Sequence, residues 1–273
     1  MHGVIRRAPA KINLVLRVGP RREDGYHDIV SLIARIDVTD TIIVAPATRT
    51  SVTCPDIPGG DTLVTRILTD FRRAARHDGG FHVGIAKRIP VGAGLGGGSS
   101  DAATALLAAN DLAGSPLDQP ELEAIAAQIG SDVPFFLGAP VAVARGRGEI
   151  VTPAPALPTC AVAVAYPGRA LSTREVYDAY RPLGPVDRTV EAPATLADLA
   201  AIVSNDLGPV AEHLEPACKV LREALLERGA AAATVSGSGS AVFGLFGSLD
   251  EAHAALVELP GAAWTEAATL SRT

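Results

Sequence analysis

The residues best suited to chemistry form a glycine-rich loop, P-V-G-A-G-L-G-G-G-S-S, at Pro90–Ser100. It follows a predicted strand and precedes a predicted helix, so unpaired backbone N–H groups and the positive end of the helix dipole favour an anion. Glycines let the backbone approach that anion closely. We therefore predict a phosphate-binding loop made of Pro90, Val91, Gly92, Ala93, Gly94, Leu95, Gly96, Gly97, Gly98, Ser99 and Ser100. A glycine-rich turn that only caps a helix is the alternative.

Two familiar nucleotide loops fit this segment poorly. Gly92, Gly94 and Gly97 satisfy G-x-G-x-x-G, the dinucleotide fingerprint, but no βαβ unit continues from them. A Walker A loop ends in Gly-Lys-Ser/Thr, whereas this loop ends in Gly98-Ser99-Ser100 without a lysine. A phosphate site is favoured, and a nicotinamide-dependent oxidoreductase is only a distant alternative.

Apolar spacing predicts the elements around the loop. Period-two or β-branched runs indicate strands, and steps of three and four indicate helices. The predicted strands are Lys11–Val18, Ile29–Ile36, Asp40–Val44, Phe81–Ile89, Cys160–Tyr166 and Ala241–Phe246, and the predicted helices are Thr62–Arg76, Ser99–Leu112, Glu121–Ile129 and Ala211–Arg228. Without a strict βαβ rhythm, the class predicted is α+β. The linker-like Thr152–Pro158 predicts domains at 1–155 and 156–273.

Composition excludes several classes of protein. Of 273 residues, 48% are hydrophobic and 20% are charged, which suits a folded core and excludes a disordered chain. The net charge of −6 argues against a nucleic-acid binder. No apolar run reaches the ~20 residues of a membrane span, and no signal peptide is evident. Scattered Cys54, Cys160 and Cys218 predict free thiols in a reducing cytoplasm rather than a zinc site.

Five motifs in order carry a family resemblance. Pro90–Ser100 resembles the ATP loop of the GHMP kinases, a family of small-molecule kinases. Pro9–Leu14 with Arg22–His27 (REDGYH), and Gly130–Phe136 (GSDVPFF), resemble segments of its 4-diphosphocytidyl-2-C-methyl-D-erythritol kinase branch. Later segments of that branch are matched by Ser204-Asn205-Asp206-Leu207 and Ser236-Gly237-Ser238-Gly239-Ser240. The resemblance extends from about Ala8 to about Phe246.

The resemblance implies both a reaction and a fold. The reaction moves the γ-phosphoryl group of ATP, with Mg²⁺, to the 2-hydroxyl of 4-diphosphocytidyl-2-C-methyl-D-erythritol, a step of the non-mevalonate isoprenoid pathway. The fold implied is an N-terminal domain like ribosomal protein S5 domain 2, followed by a ferredoxin-like C-terminal GHMP domain. The implied partners are this small-molecule substrate and ATP, and the oligomeric state stays open.

The resemblance also implies residue roles. Asp132 is implied as the base for the acceptor hydroxyl, with Lys11 beside it to keep the carboxylate ionised. Without the family, Asp132 is an ordinary turn residue after a helix and Lys11 a solvated lysine at a strand edge. The sequence departs from the family pattern at magnesium, because the glutamate that holds Mg²⁺ in some GHMP relatives has no evident counterpart. Asp101 follows the loop serines, but an aspartate in the first turn of a helix is also an ordinary partner of the helix dipole. The Mg²⁺ ligands are therefore unassigned.

For the acceptor substrate, the resemblance implies that Tyr26 stacks on cytosine and that His27 hydrogen-bonds the base edge. Asn13 is implied to contact the rest of the substrate, and Gly237, Ser238 and Gly239 to supply donors near the transferred phosphate. A loop-anchoring tyrosine and a simple hairpin turn are the alternatives. Thr62, where many members carry asparagine, leaves the adenine contact open. Another GHMP kinase, such as homoserine kinase, and an ATP-binding pseudokinase are the competing hypotheses.

Overall fold

The computed structural model describes residues 3–182, 184–187, 189–190 and 193–271. Its strands are β1 Val4–Arg21, β2 His27–Ala47, β3 Ser51–Thr53, β4 Gly80–Ala86, β5 Val141–Gly146, β6 Ile150–Pro153, β7 Ala161–Tyr166, β8 Ser204–Asn205, β9 Ala232–Val235, β10 Val242–Phe246 and β11 Trp264–Thr269. Its α-helices are α1 Thr62–Ala74, α2 Gly97–Leu112, α3 Gln119–Ile129, α4 Thr173–Ala179, α5 Leu196–Ile202, α6 Gly208–Leu214, α7 Ala217–Glu227 and α8 Leu249–Leu256. A 3₁₀ helix spans Pro134–Leu137. The mixture confirms the α+β class.

The chain forms two compact units, each made of separate stretches. The first unit comprises Thr39–Ile89 and Gly96–Ala139 with the chain up to Ala10. Here β4 pairs with the second half of β2 and with β3, while α1 packs against α2 and α3. Helix α1 forms because its buried side chains, Val64, Ile67, Leu68 and Phe71, share one face and the Asp61 carboxylate caps its first N–H groups.

The second unit comprises Lys11–Val38, Pro90–Leu95 and the chain from Pro140 onward. Strand β1 pairs in parallel with the short β8, and the first half of β2 pairs with β5, which pairs with β6. Residues 11–16 of β1 are all buried, so polar side chains among them need partners inside the protein.

A second sheet of the same unit is antiparallel, in the order β11-β7-β10-β9. Numbered along the chain, this order is 4-1-3-2, and helices α7 and α8 pack against the strands. That arrangement is the βαββαβ topology of ferredoxin-like domains. The prediction of a ferredoxin-like C-terminal half is therefore confirmed.

Several predicted boundaries were wrong for physical reasons. The strands predicted at Ile29–Ile36 and Asp40–Val44 are one strand, β2, since neither glycine nor proline separates them. The helix predicted at Ala211–Arg228 is two helices, α6 and α7, because Pro216 lacks the N–H that a continuous helix needs. Helix α2 begins at Gly97, two residues before its predicted start. Thr152 and Pro153, placed in the predicted linker, end β6; the domain division at 155 stays a prediction.

The three cysteines are free, as the sequence predicts, and all three are buried. Burial raises the pKa of the Cys160 thiol to about 11 and, with the nearby Glu215 and Glu212, that of Cys218 to about 12. Thiols with such pKa values hold little thiolate at neutral pH, so these two cysteines are poor nucleophiles.

Candidate active site

A chain of buried hydrogen bonds begins at Lys11 on β1. The Lys11 ammonium donates to the Asn13 side-chain oxygen at 2.6 Å, and the two side chains are only 4% and 5% exposed. The Asn13 amide nitrogen donates to Ser31 Oγ at 2.8 Å, which donates to the Val15 carbonyl at 2.7 Å. Residues 11 and 13 share one face of the strand because side chains alternate along it. This network fixes the direction of both polar groups.

The glycine loop and the Ser236–Ser240 segment meet at this network. The Lys11 N–H donates to the Leu95 carbonyl at 2.9 Å, and Ser236 Oγ donates to the Gly94 carbonyl at 3.1 Å. A Cβ on Gly237 would lie 3.2 Å from Asn13 Oδ1, 3.3 Å from Lys11 Nζ and 3.3 Å from the Gly94 carbonyl oxygen. A Cβ on Gly94 would collide with the Ser236 carbonyl oxygen. Three motifs far apart in sequence therefore come together.

The loop itself requires glycine at defined points. Gly92, Gly94 and Gly96 have φ values of +71°, +82° and +71°, which favour glycine. Gly96 is the N-cap of α2 and provides no side-chain hydrogen bond to the helix. The first N–H groups of α2 thus lack a capping side chain, as in helix N-termini that bind phosphate. Ser100 is fully buried and its hydroxyl does not reach the surface. A direct contact between this hydroxyl and ATP stays a prediction.

A buried charge cluster lies next to the start of α2. Lys87 Nζ is 2.5 Å from Asp40 Oδ2 and 2.7 Å from Asp101 Oδ2, and both carboxylates are fully buried. Asp40 Oδ1 also accepts from the Arg88 and Ile89 N–H groups. A Cβ on Gly97 would lie 3.2 Å from Lys87 Nζ, so this lysine is in close contact with the first residue of the helix.

The carboxyl group of Asp101 is unusually easy to protonate. Burial raises its pKa to about 7; Lys87 opposes that increase, and the charges of Asp40 and Asp61 add to it. Within the described part of the chain, its Oδ1 atom has no hydrogen-bond partner. Burial disfavours the charge of Lys87 as well, but the two aspartates outweigh it and raise the lysine pKa. The sequence alone could not distinguish this cluster from a first-turn dipole partner.

Tyr26 presents an exposed aromatic ring. It is 53% exposed, and the guanidinium carbon of Arg147 lies 4.9 Å from the ring centroid, which is a cation–π distance. The Arg147 N–H donates to Glu149 Oε2 at 2.6 Å, which fixes the backbone that carries the guanidinium. One face of the Tyr26 ring is thus covered by a cation. Arg147 was missed by sequence reasoning because it lies 121 positions from Tyr26.

His27 is held in one orientation. Its Nδ1 lies 2.8 Å from the Gly19 carbonyl oxygen, and its ring packs against Tyr177 and Tyr180 at centroid distances of 5.5 and 6.3 Å. A carbonyl only accepts, so Nδ1 carries the hydrogen and Nε2 of the neutral ring is an acceptor. The sequence does not predict this packing, because Tyr177 and Tyr180 lie far from His27 along the chain.

Asp132 lies in the turn that precedes the 3₁₀ helix, where it is half-buried. The turn is fixed by the Val133 N–H bond to the Gly130 carbonyl and by Pro134 at the start of the helix. The following Phe135 and Phe136 are buried with their ring centroids 5.1 Å apart. Asp132 therefore has a well-anchored backbone, and its partnership with Lys11 stays a prediction.

The structure thus brings Lys11, Asn13, Gly94 and Gly237 together and surrounds His27 with aromatic rings. Ser238 is tied to α4 by a 2.9 Å hydrogen bond between its hydroxyl and that of Thr173. Among the described residues, no group of three or more His, Cys, Asp and Glu side chains is arranged to hold a metal ion. Nor does the described part contain a helix long and apolar enough to cross a membrane.

Comparison with known proteins shows which family this chain is similar to. The family model for the N-terminal domain of GHMP kinases matches residues 62–139, and the model for the GHMP kinase C-terminal domain matches 192–264. A 4-diphosphocytidyl-2-C-methyl-D-erythritol kinase from Geobacter sp. (strain M21) is 39% identical, over 92% of each chain. The kinase of the same name from Anaeromyxobacter sp. (strain Fw109-5) is 44% identical, over 90% of this chain and 83% of its own length.

Solved structures extend the comparison. A crystal structure of 4-(cytidine 5'-diphospho)-2C-methyl-D-erythritol kinase superposes with a TM-score of 0.84 at 38% identity, over 99% of this chain and all of the other. Homoserine kinase from Cytophaga hutchinsonii reaches a TM-score of 0.74 at 16% identity, over 99% of this chain and 95% of its own, a likeness of fold alone. The chain therefore belongs to the GHMP kinase family and, within it, to the 4-diphosphocytidyl-2-C-methyl-D-erythritol kinases.

Proposed function

We propose that this protein transfers the γ-phosphoryl group of ATP to the 2-hydroxyl of 4-diphosphocytidyl-2-C-methyl-D-erythritol. The observation that carries the proposal is the meeting of Lys11, Asn13 and Gly237 with Gly94 of the glycine loop. Phosphoryl transfer depends mainly on positioning and on stabilising charge. A buried ammonium beside a phosphate-binding loop provides both.

The phosphates of ATP would bind at the glycine loop. The positive φ values of Gly92, Gly94 and Gly96 support this role, as do the N–H groups at the start of α2, which lack a capping side chain. Backbone donors suit phosphate because they cost no reorganisation when the ligand binds. The backbone of Gly237–Gly239 would add donors near the phosphoryl group that is transferred.

The cytosine base would bind at Tyr26 and His27. With Nδ1 bonded to the Gly19 carbonyl, His27 offers Nε2 as an acceptor, which matches the exocyclic amino group of cytosine. The exposed Tyr26 ring offers a π surface, and Arg147 covers the other face of the ring. A substrate without a nucleobase does not use these groups, so they favour the cytidine substrate over homoserine.

The proton of the acceptor hydroxyl would pass to Asp132. A nearby ammonium keeps such a carboxylate ionised, and Lys11 is the cation proposed for this purpose. Asn13 accepts a hydrogen bond from Lys11 and so holds the ammonium in place. Asp101 is a poor ligand for Mg²⁺, because it is fully buried and already bonded to Lys87. Mg²⁺ would be held mainly by the ATP phosphates and water, as is common for this ion.

A coupled assay of ADP release tests the proposal. The purified protein is given ATP, Mg²⁺ and one acceptor at a time: 4-diphosphocytidyl-2-C-methyl-D-erythritol, homoserine or mevalonate. We expect turnover with the cytidine compound alone, and phosphorus NMR of the product should show a new phosphomonoester. Preferred turnover of homoserine would contradict the proposed substrate. ATP binding without turnover of any acceptor would support a pseudokinase.

A further inference from the structure

The segment Ser204–Leu207 has no role in the site described above, although it lies beside β1. Strand β8 pairs in parallel with β1, placing Ser204 opposite Val15 and Asn205 opposite Leu16. The Asp206 N–H continues the pairing to the Leu16 carbonyl at 2.9 Å. Asn205 is therefore fixed relative to the strand that carries Lys11 and Asn13.

The Asn205 side chain holds the neighbouring glycine segment. Its amide nitrogen donates to the carbonyls of Val235 and Gly237, both at 2.7 Å. Its side-chain oxygen accepts from the Leu207 N–H at 2.9 Å. The amide is buried, and both of its N–H donors and its oxygen are used. A leucine would leave two buried carbonyls unpaired, and an aspartate would face them with a carboxylate oxygen.

The bond to Gly237 sets the orientation of a peptide plane. In a trans peptide the C=O and N–H point in opposite directions, so the Ser238 N–H is directed away from Asn205. A flip of this peptide would rotate ψ of Gly237 and φ of Ser238, and Gly237, which has φ of +59° and no Cβ, allows a wide range of ψ. The hydrogen bond from Asn205 opposes that flip. Since Gly237 lies against Asn13, Lys11 and Gly94, a flip would change the backbone donors next to them.

We propose that Asn205 is a positioning residue for phosphoryl transfer, which fixes the Gly237–Ser238 peptide against Lys11, Asn13 and the glycine loop. The inference rests on the proposed function and adds a residue to its site. In this role Asn205 acts through the backbone donors whose direction it sets. Losing one donor that stabilises a transition state typically lowers kcat about 10²–10³-fold. A donor that is misplaced part of the time should cost less.

The test uses Asn205→Asp, which keeps the size of the side chain, and Asn205→Ser, which keeps one donor. The matched control is Asn110→Asp. Asn110 is another buried asparagine, bonded through both ends of its amide to the Leu117 backbone, and it belongs to the other unit. We expect Asn205→Asp to lower kcat about 10- to 100-fold, with KM values within about threefold, since the loss falls on the transition state. Asn205→Ser should be intermediate.

A structural readout separates this proposal from the proposed function. Amide hydrogen exchange in the Ser236–Ser240 segment should be faster in both Asn205 variants and unchanged in Asn110→Asp. Unchanged exchange, or a kcat loss no larger than that of an equally destabilised Asn110→Asp, would overturn the positioning role. A wild-type protein that does not phosphorylate the cytidine substrate would contradict the proposed function, and the exchange measurement would still decide the role of Asn205.

Discussion

Asp101 makes the stability of the protein depend on pH in a way that one substitution should remove. The carboxyl group is fully buried beside Lys87 and Asp40, with Asp61 also contributing negative charge. Burial raises its pKa from 3.8 to about 7. Between these two pH values the folded protein holds a proton on Asp101 that the unfolded chain has released. The free energy of unfolding therefore falls as pH rises through this range.

The magnitude follows from the pKa difference. The step from 3.8 to about 7 corresponds to roughly 4 kcal/mol at about 1.4 kcal/mol per pH unit. This stability is present below pH 3.8 and is lost by the time the pH exceeds 7. Most of this loss of stability occurs between pH 5 and pH 8, where the contribution falls by roughly 3 kcal/mol. Asp101 has no exposed surface, so solvent does not screen this effect.

Guanidinium unfolding at pH 5, 6, 7 and 8 measures the effect. Asp101→Asn keeps the shape and the hydrogen-bonding oxygen but cannot titrate. We expect its stability relative to wild type to rise by roughly 3 kcal/mol from pH 5 to pH 8. Asp111→Asn is the control, because Asp111 lies on the same helix with its side chain 55% exposed. Parallel pH curves for wild type and Asp101→Asn would refute the assignment of this titration to Asp101.

Three further predictions concern the proposed reaction. Gly96→Val should weaken ATP binding in calorimetry because Gly96 has a positive φ in the phosphate loop. Gly114→Val, equally strained at the other end of α2, should not, and equal ATP affinities of the two variants would contradict the loop assignment. Tyr26→Ala should raise KM for the cytidine substrate about 5- to 150-fold with little change in KM for ATP, while Tyr26→Phe retains stacking. Equal effects on both substrates would contradict the stacking of Tyr26 on cytosine. Asp132→Asn should lower kcat about 10²–10⁴-fold, and combining it with Lys11→Met should add little; near wild-type kcat would exclude Asp132 as the base.

The sequence predicts single long helices and their caps better than the points where one element ends and the next begins. Helix α1 was predicted with its Asp61 cap, because spacing and capping are encoded within a few residues. The break at Pro216 shows the limit, since the apolar pattern continues across a proline that ends one helix and begins another. Short elements such as α5 and β11 were not predicted, because α5 spans only about two helical turns and β11 has no alternating apolar pattern.

In the site, too, residues within local motifs were predicted, whereas residues that act through distant partners were not. The glycine loop and Lys11 with Asn13 were identified from motifs, and the structure places Gly94 and Gly237 at that lysine. Arg147 and Asn205 were not assigned a role, because their partners lie far away in sequence: Tyr26 in one case and Gly237 in the other. Residues that act through a backbone carbonyl or a ring face leave no local pattern. Only the tertiary structure shows which peptide or ring they hold.

Strand β1 explains why these positioning bonds are needed at all. Residues 11–16 are buried, yet Lys11 and Asn13 carry polar groups into this otherwise apolar stretch. A buried ammonium or amide destabilises the fold unless it is hydrogen-bonded. The Lys11–Asn13–Ser31 chain supplies those bonds, and Asn205 does the same for the carbonyls of Val235 and Gly237. The bonds that make burial tolerable also restrict each group to one direction. In this protein, the requirement to satisfy buried polar groups therefore also positions the ammonium and the glycine backbone proposed to act on phosphate.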